Sequence, residues 1–166
     1  DVSKASGLLK MAGWTDSDGD GLLEQVIDGQ KTIFSFYLLF MTSQPEWKQI
    51  AEMMAEAMLE AGVEAKLKPA DPMALYEKAQ LHDFDMLLGS WTVTSSPDDY
   101  GQLWHTRSWV SNGSNFTGFG NSATDALIDS MNEATNPPRY SSLSRRFQKI
   151  IYEEQPYVFI SQNTRK

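Results

Sequence analysis

The chain has 166 residues and a formal net charge of -8, from 22 acidic and 14 basic side chains, and it contains no cysteine. That length suits one domain with a core of its own, and the negative charge disfavours a nucleic-acid backbone as partner. The lack of cysteine excludes disulfides, thiol catalysis and cysteine-ligated zinc, and no stretch is long and apolar enough to span a bilayer. The chain opens on Asp1 and closes on Lys166 with no initiator methionine or signal peptide, which predicts a segment cut from a longer polypeptide.

Lys4 to Ala12 reads as a short helix carrying Leu8, Leu9 and Met11, with Gly13 as its stop. Asp16-Ser17-Asp18-Gly19-Asp20-Gly21 then matches the first half of a calcium loop, with oxygen ligands at alternate positions and glycine at the sixth. The twelfth position, where a bidentate Glu belongs, is Ile27, and neither Glu24 nor Asp28 has the right spacing. A tight acidic turn is therefore favoured, with Asp16, Asp18 and Asp20 the weaker calcium candidates. Leu22 to Ile27 and Lys31 to Phe40 read as two strands, and Asp28-Gly29 between them is a hairpin signal.

Ser43 and Glu46 have the spacing of a capping box, and Pro45 sits between them. The predicted helix carries Trp47, Ile50, Ala51, Met54, Met58 and Ala61 at helical spacing, with Gly62 closing it. Val63 to Leu67 is a half-buried strand, and Asp71-Pro72 caps a second helix running to about Gln80. Met86 to Leu88 is a short apolar run of the kind found in buried strands. Strand, helix, strand, helix, strand predicts an α/β fold with parallel pairing and right-handed crossovers.

From Trp91 to Asn121 the helical and strand periods both vanish. Trp91, Tyr100, Trp104, Trp109, Phe116 and Phe119 stand among Ser, Asn, Gly and Pro. Long loops are usually functional or disordered, and disordered ones are poor in aromatics. The expectation is an ordered surface presenting rings to a ligand, set against rings that plug the core. Ser122 then caps a helix with Leu127, Ile128 and Met131. A last helix carries Leu143, Phe147, Ile150 and Ile151, and Pro156 to Ser161 reads as a final strand. Only His82 and His105 are available as imidazole bases, and no nucleophile elbow, HExxH or phosphate loop accompanies them. Asp98 and Asp99 are adjacent, so in an extended chain they point apart. Asn112-Gly113-Ser114 and Asn115-Phe116-Thr117 fit the glycosylation sequon, a weak signal in such a loop.

The order of these features resembles the second, C-terminal lobe of family 5 extracellular solute-binding proteins, the peptide- and nickel-type receptors of bacterial ABC transporters. The matching pieces are Leu8 to Trp14 with Asp16 to Glu24, Ile50 to Val63, Asp83 to Trp91, Gly118 to Ile128 with Asn121 and Asp125, and Gln148 to Ile160. The resemblance implies a periplasmic-binding-protein type II-like lobe, a mixed sheet flanked by helices. It further implies a ligand enclosed between this lobe and a missing first lobe of the same protein. Such a receptor acts in the periplasm or outside the cell, in some members lipid-anchored. It delivers a small solute, a peptide in the first instance, to a membrane permease, performs no reaction and uses no cofactor. Ligand contacts are expected from Trp91, Thr92, Thr94, Asp98, Asp99, Trp104, His105, Trp109, Phe116 and Phe119. One departure stands out: peptide-binding members carry an Asp three residues after the strand's Trp, and here that position is Thr94. A charge-assisted hydrogen bond is worth about 1.5–3 kcal/mol, so recognition of a peptide amine should weaken unless Asp98 or Asp99 reaches the site.

Two other classes fit the same residues. A hydrolase would need Asp98, Asp99 and His105 to converge on a concave site. A calcium-binding interaction module would need the acidic loop from Asp16 to Glu24 to hold the metal.

Overall fold

The structure is a computed structural model that describes residues 1–91, 100–110 and 113–161. The chain divides into two compact units, Asp1–Trp91 and Thr92–Lys166.

In the first unit, helix α1 (Val2–Met11) begins where the Asp1 carboxylate accepts the Lys4 N–H. It ends at Gly13, whose φ of 91° suits glycine. Strands β1 (Glu24–Ile27) and β2 (Gln30–Ile33) pair antiparallel, with Ile27 opposite Gln30. Asp28 and Gly29 both have positive φ, the two-residue hairpin turn expected from their sequence.

The strand expected from Lys31 to Phe40 divides at Phe34. Phe34 donates its N–H to Leu23 O at 2.7 Å, extending the hairpin, while its carbonyl accepts the Glu64 N–H at 3.0 Å. Its ring stacks on Trp14 with centroids 4.5 Å apart. One residue thus serves both ladders, and strand β3 (Ser35–Met41) begins immediately after it. β3 is the centre of a three-stranded parallel sheet, between β4 (Glu64–Ala70) and β5 (Met86–Leu88). Pro69 is tolerated because β4 is an edge strand.

Leu38 and Phe40 face helix α2 (Pro45–Leu59), where they form a core with Ala51, Leu88, Trp47, Ile50 and Met54. Leu39 is buried too and alternates to the other face. Helix α3 (Pro72–Gln80), with Leu75 and Ala79 buried, also packs against β3. Its Asp71 cap is as expected, accepting from the Met73 and Ala74 N–H groups. The capping box expected at Ser43 and Glu46 does not form. Pro45 takes the first helical position, which makes Gln44 the cap residue and puts Ser43 one position too early; Gln44 makes no side-chain cap bond.

The second unit comprises α4 (Tyr100–Trp104), a 3₁₀ turn (Thr106–Ser108), α5 (Ser122–Asn132) and α6 (Pro137–Glu154). Trp104, Leu127, Ile128, Met131, Phe147 and Ile151 form its core. The cap of α5 is Asn121 rather than Ser122. Its side chain accepts from Ala123 and Thr124, and Thr124 closes a reciprocal box. After α6 the strand expected from Pro156 does not form; residues 156–161 pair with no strand among the described residues.

Candidate functional site

Ligands of open parallel sheets gather beyond the carboxyl ends of the strands. β5 ends at Leu88, and the chain runs through Gly89 and Ser90 to Trp91, whose residue is 45% exposed. Thr92, Thr94, Asp98 and Asp99, all expected ligand contacts, lie outside the described residues.

In the second unit the segment from His105 to Gly120 is a loop organised from inside. Asn115 is fully buried. Its Nδ2 donates to His105 O at 3.3 Å and Phe119 O at 2.8 Å, and its Oδ1 accepts the Phe119 N–H at 3.2 Å. One amide therefore ties the start of the loop to its end. Asp125 on α5 accepts the Thr106 N–H at 3.0 Å and its hydroxyl at 2.5 Å, and Ser108 Oγ donates to Gly101 O at 2.7 Å. A Cβ on Gly113 would overlap the Ser108 carbonyl, so only glycine fits that close approach. The Trp109 ring lies over Gly118, where a Cβ would sit 3.0 Å from the indole.

This scaffold sorts the expected contact residues. Trp109 is 53% exposed. Phe116 and Phe119 are half-buried, and Phe119 packs edge-on against Trp104 with centroids 5.6 Å apart. Trp104 itself is a core residue, 7% exposed, and it also lines an open cavity of about 310 Å³ with Tyr100, Phe147, Ile151 and Phe159. His105 is buried. Its Nδ1 accepts the Arg107 N–H at 3.1 Å with Asp125 Oδ1 3.2 Å from the same atom, and its Nε2 lies 3.7 Å from Asp129 Oδ1. The imidazole is thus engaged by its own loop and α5. Asn115 was visible in the sequence only as a sequon, and its complete burial rules out a glycan there. The overlooked signal was an Asn four residues before an aromatic, in a loop with no other means of pairing its backbone.

The acidic loop is also internally satisfied. Asp16, Asp18, Asp20 and Glu24 place carboxylate oxygens within 4.8 Å of one another. Asp16 accepts from the Gly19 and Gly21 N–H groups and Asp20 from Leu22. Glu24 accepts the Ser17 N–H at 2.6 Å and the Ser17 hydroxyl, while Lys31 Nζ stands 2.5 Å from Asp18 and 3.4 Å from Glu24. The Ser17 bonds hold Glu24 below the usual carboxylate range, Lys31 does the same for Asp18, and Asp18 pushes the Lys31 ammonium up. The Lys31 ammonium is thus already paired with two of the four carboxylates.

A model of bacterial extracellular solute-binding proteins, family 5 Middle, matches residues 1–114. The chain is 31% identical over 159 residues to the oligopeptide-binding protein AppA of Bacillus subtilis, covering 95% of this chain and 28% of AppA. The chain therefore spans less than a third of that relative. The structure of AppA in complex with a nonapeptide superposes with a TM-score of 0.82 at 30% identity, over 93% of this chain and 30% of AppA. The oligopeptide-binding protein of Thermotoga maritima, solved with mannohexaose, superposes at 0.82 with 19% identity over 94% of this chain and 30% of its own. NikZ of Campylobacter jejuni, solved with Ni(L-His), gives 0.79 at 21% identity over 94% and 31%. The last two likenesses bear on the fold alone.

Proposed function

Since this chain belongs to the bacterial extracellular solute-binding proteins, family 5, we propose that its 166 residues form one lobe of a two-lobed receptor. The receptor captures a small solute outside the cytoplasm and hands it to the permease of an ABC transporter. It binds without transforming the ligand and needs no cofactor. No helix among the described residues is long and apolar enough to cross a membrane.

The observation that carries the reading is Trp109. A loop built around a buried amide holds its indole against Gly118 and leaves half of the residue in water. Ordering a large apolar ring without burying it makes sense for a surface that another molecule completes. Trp91, at the exit of β5, is a second exposed ring. In this reading Phe116 contributes an edge, while Trp104, His105 and Phe119 hold the loop from behind. Thr92, Thr94, Asp98 and Asp99 follow Trp91 in sequence and supply polar contacts.

A peptide is the first ligand class, by the likeness to AppA. Thr94 favours a second, a neutral solute such as an oligosaccharide, because no carboxylate stands at that position to meet an amine. Calorimetry on the full-length receptor with an unmodified peptide pool, an N-acetylated pool and an oligosaccharide series separates them. Trp109→Ala is expected to weaken the ligand that binds by about tenfold, the loss of a contact worth above 1 kcal/mol, with Tm unchanged. If none of the three pools gives heat, or Trp109→Ala binds as well as the parent, this reading is wrong.

A further inference from the structure

The charge of the chain is unevenly shared. Residues 1–91 hold 15 acidic and 7 basic side chains and no arginine, whereas residues 92–166 hold 7 of each and all five arginines. Three of the five, Arg139, Arg145 and Arg146, lie on α6 together with Lys149. At about 100° per residue, these four fall within about 120° of arc. That arc is opposite the helix face that buries Ser144, Phe147 and Ile151, and all four side chains are exposed. The same arc holds one carboxylate, Glu153, which pairs with Lys149 at 3.5 Å. Among the described residues no carboxylate pairs with Arg139, Arg145 or Arg146. On the neighbouring α5, Asp125 bonds Thr106, and Asp129 stands beside His105 and Arg107. Arg145 and Lys149 stand at i,i+4, a like-charge spacing that weakens a helix by itself. An external anion would relieve that repulsion. Tyr152, three residues after Lys149 and seven after Arg145, borders the stripe and is 76% exposed.

We propose that the basic face of α6 docks on an anionic phospholipid surface, with its cations on headgroup phosphates and Tyr152 at headgroup level. A guanidinium meets phosphate oxygens through two parallel hydrogen bonds, and a tyrosine suits the boundary between headgroups and water. From Arg139 to Lys149 the stripe runs about 15 Å along a convex helix, a length that reaches several headgroups at once. A protein partner fits this face less well. Protein interfaces are depleted in charge at their centre and built on buried aromatic or apolar anchors, whereas this stripe is charged throughout and carries its ring at the margin. The net charge of -8 repels an anionic surface from most directions, so approach is favoured only with α6 turned toward the membrane. The proposal rests on the receptor reading for its setting alone, a protein that works beside a membrane; the contact itself involves no solute.

Vesicle co-sedimentation of the full-length polypeptide, prepared without any lipid modification, tests it. Binding is expected to rise by about tenfold or more when about a third of the phosphatidylcholine is replaced by phosphatidylglycerol. The gain should shrink as salt is raised from about 0.05 to 0.3 M. A triple variant, Arg139→Gln with Arg145→Gln and Arg146→Gln, is expected to lose it. Glutamine keeps the helix propensity of these exposed positions, so Tm should hold. A control, Lys4→Gln with Lys10→Gln and Lys48→Gln, removes the same charge from the first unit and is expected to keep the gain. Equal binding to neutral and anionic vesicles would overturn the proposal, as would a gain that survives the triple variant or is lost equally in the control. Binding to an acidic polypeptide that depends on the three arginines, with no gain on vesicles, would assign the face to a protein and equally overturn it. Solute enters none of these readouts. Failed solute capture would leave this result standing, and failed vesicle binding would leave the receptor reading standing.

Discussion

Asn115 and Trp109 divide the labour of the loop between them. Asn115 is fully buried and makes three hydrogen bonds to the backbone of His105 and Phe119. Alanine there leaves two carbonyls and an N–H without their partner inside the protein. An unsatisfied buried group costs about 1–3 kcal/mol, so Asn115→Ala is expected to destabilise the chain by about 2–4 kcal/mol in urea unfolding. The half-exposed Trp109 has the opposite signature, with binding lost and stability kept. A loop whose stability ignored Asn115 would have some other organiser. Near-UV circular dichroism separates the cases, because Phe119 packs on Trp104 only while the loop is tied. These residues could not be ranked from the chain alone: six aromatics and several amides in one aperiodic stretch look alike until burial distinguishes Trp104 from Trp109.

At the scale of elements, legibility followed periodicity and local chemistry. The Asp28-Gly29 hairpin, the Asp71 cap, α2, α3, α5 and α6 were all readable, because each is decided by residues close in sequence. The division at Phe34 was not, since its N–H and C=O partners, Leu23 and Glu64, belong to different ladders. The unformed strand at Pro156 failed for the related reason that a strand needs a neighbour and propensity cannot supply one. The acidic loop shows a third limit. Its spacing favoured a tight acidic turn over a calcium site, but the partner that holds Asp18 and Glu24, Lys31, comes from the hairpin and was not legible.

That partnership has a pH signature. Glu24 and Asp18 are held below their ordinary values of 4.5 and 3.8. A depressed carboxylate contributes stability in full above its unfolded pKa and loses it as the pH falls through the folded one. Lys31 is pushed above its ordinary 10.5, so its share is complete below that value and lost as the pH rises through the raised one. Lys31→Met is therefore expected to lower Tm at neutral pH, and the gap from the parent protein should close as the pH drops below 4.5. A gap that stayed constant into acid would mean that Lys31 acts through packing alone. Calcium is a separate test. At about 1 mM, the weak end of extracellular calcium modules, it is expected to leave Tm unchanged, because binding would have to displace an ammonium already in place. A rise in Tm would show that the ion binds the native state despite Lys31.

For the whole molecule, the sheet of the first unit and the aromatic core of the second make a fold shared with much longer receptors. In the proposed receptor, hinge closure buries the ligand from two sides, and small-molecule sites cover about 70–90% of the ligand surface. One lobe can supply only part of that cover. If half of a micromolar binding energy of about 8 kcal/mol is missing, affinity falls on the order of a thousandfold. The 166-residue chain is therefore expected to fold cooperatively and to bind its ligand in the millimolar range where the intact receptor is micromolar. Trp109→Ala should weaken both by a similar factor, because the ring belongs to this lobe in either context. Calorimetry on the two proteins with one ligand decides the matter. Equal affinities would place the entire site within these residues. A Trp109 effect confined to the intact receptor would mean that closure, not this chain, positions the ring.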